Sequence, residues 1–221
     1  DLYGDVTFIT SELVTQNKIA FPAMCDLFTT DIDSMQPAGF IRASMSIPVF
    51  FESYMINNIP CDDPRILAAW KTRLGYGTPP GSARFVDGGI LSNFPISIFY
   101  NSSVAIPRLP SFGIDLDDSK PADKKENAFD WSLGGYFGRM FNTIRNYYDK
   151  DFLIKNATYQ RGVGKVDLSS DKYNWLNFFL PDQDKIDMFA LGAQAARDFL
   201  TTFDWEAYKN DRAAMQRQLT K

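Results

Sequence analysis

Phe85-Val86-Asp87-Gly88-Gly89-Ile90-Leu91-Ser92-Asn93-Phe94-Pro95-Ile96 is the stretch that decides the fold. A short apolar run stops at an aspartate, two glycines follow, and an Asn-x-Pro step closes the segment. An aspartate that ends a strand stands where ligands bind in open α/β sheets, outside the strand ends. Two glycines after it allow φ > 0 and let the backbone approach a partner closely. Asp-Gly-Gly is also an ordinary turn, so its neighbours must decide the matter.

Upstream, the β-branched run Val6-Thr7-Phe8-Ile9-Thr10 reads as a strand. The turn-rich Val14 to Lys18 then leads into Ile19-Ala20-Phe21, so residues 6 to 21 read as a hairpin. Gly39 to Met45 is a short helix of small residues ended by Pro48. Asp62-Asp63-Pro64 opens a second helix, with an aspartate N-cap and proline in the first turn. Its apolar face is Ile66, Leu67, Trp70 and Leu74. Downstream, Phe112-Gly113-Ile114-Asp115-Leu116 reads as a further strand, followed by a polar surface loop from Asp117 to Asn127. Phe137, Met140, Phe141, Ile144 and Tyr148 share one helical face, a stripe that reads as core, with Gly134, Gly135 and Gly138 beside it. Ile186, Phe189, Ala193, Ala196, Phe199, Leu200 and Phe203 predict a long amphipathic helix, and a polar tail helix starts at Trp205. Strands mixed with helices, without an internal repeat, give an α/β class.

Composition narrows the function. Of 221 residues, 45% are hydrophobic and 23% charged, an ordinary globular balance. The 15% aromatic share, with 19 Phe and 10 Tyr, calls for a sizeable core, a lipid-like ligand, or both. A net charge of −4 provides no electrostatic footprint for nucleic acid and no polybasic membrane anchor. Cys25 and Cys61 have no metal or redox spacing and suit a reducing compartment. With no histidine, these residues supply neither a Ser-His-Asp triad nor a histidine-based metal site.

Gly39-Phe-Ile-Arg-Ala-Ser-Met-Ser-Ile-Pro-Val-Phe-Phe51, followed by the Asp87-Gly88-Gly89 strand end and Asn93-Phe94-Pro95, resembles the second half of the patatin-like phospholipase domain. The hairpin from Phe8 to Phe21 is similar to the strands that precede these blocks, so the resemblance covers residues 5 to about 117. It implies a patatin-like layered sheet with flanking helices over 1–117, and a C-terminal helical extension over 118–221 packed on the same domain. It implies a lipid acyl hydrolase of the phospholipase A type working through a Ser-Asp dyad, with Asp87 as the base and Gly88 and Gly89 as its supporting loop. Lipid or acyl ester is the implied substrate, with transient membrane-surface contact and no metal or organic cofactor. A cytoplasmic or peripheral-membrane location, in a bacterium, is the matching expectation.

One departure is sharp. None of the fourteen glycines has a serine two residues later, so the Gly-x-Ser-x-Gly nucleophile elbow is absent, as is the glycine-rich oxyanion loop. Both are expected upstream of Asp1, and a chain that starts at Asp1 and runs straight into Val6 to Thr10 reads as one entered in mid-domain. These 221 residues alone are then expected to be inactive and poorly soluble, since the strands at Val6, Phe85 and Phe112 want partners. Ser44 and Ser46, in a helix of small residues, lack the strained turn that exposes a nucleophile. Arg42 in the same helix is expected to brace a carboxylate. The segment 56–82 exceeds a bare link, and Trp70 and Tyr76 are its candidate lid residues, against the alternative of a packed surface insertion. Two rival functions remain. One is a patatin-like module without a nucleophile that binds lipid or a partner protein. The other is a Mg²⁺-dependent phosphotransferase, because the strand ending Asp115-Leu116-Asp117 resembles the nucleophile strand of haloacid-dehalogenase-like enzymes.

Overall fold

In the computed structural model, which describes residues 6–99, 104–117, 157–169 and 177–219 together with positions 136, 140, 143, 144 and 173, the hairpin forms as its sequence predicts. Strands β1 (Phe8–Glu12) and β2 (Asn17–Phe21) pair antiparallel, with Phe8 opposite Phe21 and Glu12 opposite Asn17. The turn is closed from inside. The buried Glu12 carboxylate accepts the Val14 and Thr15 amides at 2.7 Å each, and the Thr15 hydroxyl at 2.6 Å. A buried carboxylate is tolerable when hydrogen bonds replace its water, as here.

The chain divides into two units, residues 1–95 with 140–149, and 96–139 with 150–221. In the first, helix α1 (Pro37–Ser44) has proline in its first turn and buries Phe40 and Ala43, one helical turn apart. Strand β3 (Tyr54–Asn57) follows, then helix α2 (Pro64–Leu74) and strand β4 (Ser82–Asp87). The sheet runs β2-β1-β4-β3 and is antiparallel throughout, with Thr10 opposite Asp87 and Tyr54 opposite Phe85. β4 therefore finds both of its partners inside the chain, which the sequence reading did not foresee. Tyr54 and Ile56 alternate with the more exposed Met55 and Asn57, a short period-2 signal that is easily overlooked.

α2 begins where its sequence says. The Asp63 carboxylate accepts the Arg65 amide at 2.8 Å and caps the helix, and the Arg65 guanidinium beside it holds the carboxyl below its ordinary range. Gly75 ends the helix at φ 76, where its amide reaches the Lys71 carbonyl and the Tyr76 amide reaches the Trp70 carbonyl. Ile66 and Trp70 point into a core shared with Phe21, Phe28, Phe40 and Phe85. Phe21 stacks on Phe40 at 4.9 Å, while Phe28 meets Phe85 and Trp70 edge-on at 5.3 and 6.0 Å.

This packing bears on the lid expectation. Trp70 is fully buried, and its indole N–H donates to the Leu27 carbonyl at 2.6 Å. Tyr76, half-exposed, donates its hydroxyl to the Thr15 carbonyl at 3.1 Å and lies edge-on to Trp70. Opening the segment as a lid would pull the indole out of the core and strand the Leu27 carbonyl. Trp70→Phe should cost about 1–3 kcal/mol in a denaturant titration, chiefly from that unsatisfied carbonyl. Lipid micelles should leave Trp70 as shielded from acrylamide as before. A micelle-dependent change in its quenching would restore the lid.

In the second unit, strand β5 (Gly113–Asp117) pairs in parallel with β6 (Val163–Asp167), just after the one-turn helix α3 (Ala157–Gln160). The strand expected at Phe112 is thus partnered within the chain and belongs to this unit, which begins at Ile96. Helix α4 (Asp182–Thr202) packs on β6, and α5 (Trp205–Leu219) follows. The tail helix buries Tyr208, whose hydroxyl accepts the Ser111 amide at 3.0 Å.

α4 keeps part of the predicted stripe. Ala196 and Phe199 are half-buried, as is Phe203 just beyond the helix, and Met188, Gly192 and Ala195 join them, whereas Ile186, Phe189, Ala193 and Leu200 are exposed. Both stripes have three- and four-residue spacing, so periodicity alone does not choose between them. Only the contacts with the sheet do. The polar loop from 118 to 127 and most of the Phe137 to Tyr148 stripe lie outside the described residues.

Candidate active site

Asp87 ends β4, and two hydrogen bonds to its backbone hold it there. Its amide donates to the Ser46 carbonyl at 2.9 Å, just beyond α1. Its carbonyl accepts the Ser11 hydroxyl of β1 at 3.0 Å. Opposite it in the register is Thr10, whose buried hydroxyl donates to the Val86 carbonyl at 2.8 Å, with the Ala43 carbonyl 3.2 Å away. One carboxylate oxygen, Oδ1, accepts the Gly89 amide at 2.7 Å. Asp87 thereby caps the tight turn Gly88–Ile90, whose first carbonyl accepts the Leu91 and Ser92 amides.

The two glycines are needed for space. The sequence reading invoked φ > 0, but among the described residues Gly75 is the glycine with positive φ. A Cβ on Gly88 would stand 2.0 Å from the Ile9 carbonyl oxygen, inside the backbone of β1. A Cβ on Gly89 would stand 2.8 Å from Asp87 Oδ1 and 2.9 Å from Asn93 Oδ1. Gly88 lets the strand end close against β1, and Gly89 leaves a notch between two polar side chains. Asn93 is the site residue the sequence reading passed over, although its Asn-x-Pro signature was in view.

Ser46, just beyond α1, is occupied elsewhere. It is fully buried, donates its hydroxyl to the Arg42 carbonyl at 2.6 Å and accepts from the Arg42 guanidinium at 2.7 Å. Arg42 also reaches the Glu52 carbonyl at 2.6 Å. It is a brace, as expected, but its partners are a hydroxyl and a carbonyl rather than a carboxylate. In the second unit, Asp115 and Asp117 stand opposite Lys165 and Asp167. Among the described residues no group of three or more acidic or cysteine side chains could hold a metal, so the phosphotransferase reading gains nothing here. A groove of about 690 Å³ runs between α1 and the free edge of β3, lined by Met35, Gly39, Arg42, Tyr54 and Ile56, and does not include Asp87. Among the described residues no helix is long and apolar enough to cross a membrane.

The sheet thus presents a turn-capped carboxylate at a strand end, within a mixed α/β fold. Residues 4–100 match the model of the patatin-like phospholipase family. The match ends close to the division after Pro95, short of the 117 that the sequence reading expected. The chain is also similar to the uncharacterized protein YqhO of Bacillus subtilis (strain 168), with 26% identity over 200 residues. That alignment covers 89% of this chain and 57% of YqhO, so the chain spans little more than half the length of this relative.

Proposed function

We propose that this chain supplies the general base of a patatin-like lipid acyl hydrolase, with Asp87 as that base. The observation that supports it most is the immobilised carboxylate. Asp87 is held through its amide, its carbonyl and Oδ1, beside a notch that Gly89 keeps clear of side chain. In this reading a serine from outside these 221 residues attacks the ester carbonyl, and Oδ2 of Asp87 takes the hydroxyl proton. The alkoxide or lysolipid leaves with a proton, and the acyl-enzyme is hydrolysed by a water that the same aspartate activates. Backbone amides, also from outside these residues, hold the oxyanion. The absence of histidine suits a Ser-Asp dyad. Acyl esters of lipids are the substrate class, met by transient contact with a membrane surface.

The competing reading is a binding module of the same fold without a nucleophile. Ser46 does not rescue the enzyme reading from within, since it is locked onto Arg42. An alkyl fluorophosphonate distinguishes the two. The intact protein should be labelled at one serine outside residues 1–221 and should hydrolyse a short-chain ester. Absence of both labelling and turnover would leave the binding module.

A further inference from the structure

We propose that Asn93 is a positioning residue for Asp87, an inference that rests on the hydrolase reading above. The turn after β4 doubles back, with the Leu91 and Ser92 amides on the Gly88 carbonyl at 3.1 and 2.9 Å. This returns Asn93 to the same side of Gly89 as the Asp87 carboxylate. Both side chains border the space a Cβ on Gly89 would fill, with Asp87 Oδ1 2.8 Å and Asn93 Oδ1 2.9 Å from that point. Two residues later Pro95 biases Phe94 toward extended backbone and so limits the freedom of the arm that bears Asn93.

The chemistry favours an amide at this position. Rotation about the last bond of an aspartate is soft, and the Gly89 amide holds one of its two oxygens, Oδ1. A second polar wall narrows that rotation and aims Oδ2. A lysine or arginine would do so too, but its charge would stabilise the carboxylate and weaken the base. Asparagine offers both donor and acceptor without charge. The charged groups on the packed elements are engaged elsewhere. Arg42 of α1 is held on Ser46 and the Glu52 carbonyl, Glu12 of β1 on the hairpin turn, and Arg84 of β4 on the Ser53 hydroxyl.

The test uses the intact protein and a short-chain ester. Asn93→Ala should lower kcat by about 10-fold or more through misaiming of the base, with KM nearly unchanged. Asn93→Asp keeps the shape but sets a second carboxylate beside Asp87, and should move the acidic limb of the kcat/KM profile to higher pH. Circular dichroism and the thermal midpoint establish that both variants fold, and the near-isosteric Asn93→Asp serves if the alanine variant does not. Wild-type kcat and an unmoved pH profile in these variants, with Asp87→Asn inactive, would overturn the role of Asn93 and leave the hydrolase reading standing. A wild-type protein that turns over no ester would overturn both.

Discussion

Asp87→Asn in the intact protein is expected to reduce ester hydrolysis by at least ~100-fold while leaving the fold in place, because a positioned general base contributes on that scale. The fold should survive because the links that hold residue 87 are indifferent to the change. The amide still donates to Ser46 and the carbonyl still accepts from Ser11. The asparagine side-chain oxygen can keep the Gly89 amide, so the turn retains its cap. What disappears is the ability of the second carboxylate atom to accept a proton. An unchanged thermal midpoint with lost turnover is the expected pair of results. A variant that keeps most of its activity on a short-chain ester would remove Asp87 from the mechanism.

Gly88→Ala is expected to fail differently, in folding before chemistry. The new methyl would lie 2.0 Å from the Ile9 oxygen, 2.4 Å from the Ile9 carbonyl carbon and 3.0 Å from the Thr10 nitrogen. All three atoms are backbone, and β1 is held between β2 and β4, so no side chain can swing aside to make room. Relief requires prying β4 from β1 at the Thr10–Asp87 end. A loss of at least ~3 kcal/mol in denaturant unfolding is expected, at the upper end for overpacking. Gly89→Ala meets only side-chain oxygens of Asp87 and Asn93, so it should cost less stability and disturb activity more. A Gly88→Ala protein with the wild-type unfolding midpoint would contradict the close approach of these strands.

Much of the local architecture was legible before any coordinates, for local reasons. The hairpin, the aspartate-capped start of α2 at Pro64, the end of α2 at Gly75 and the halt of β4 at Asp87 are all written in neighbouring residues. Capping, proline geometry and period-2 alternation act within a few positions, so a single sequence displays them. Asp87 itself stood out because an apolar run, an acid and two glycines are adjacent in the chain.

The remainder depended on residues far apart in sequence. Trp70 reads as a lid residue or as part of a packed insertion, and its burial rests on Leu27, 43 positions earlier, which accepts its indole hydrogen. α4 has two stripes of helical spacing, and the β5–β6 pair selects the one through Met188 and Phe199. The two glycines looked like a demand for unusual backbone angles, and their purpose came from Ile9 on one side and Asn93 on the other. Pattern and capping follow from short-range sterics that each segment carries with it. Which face is buried and which atoms meet at a strand end depend on packing between distant segments, and close packing is set only when those segments come together.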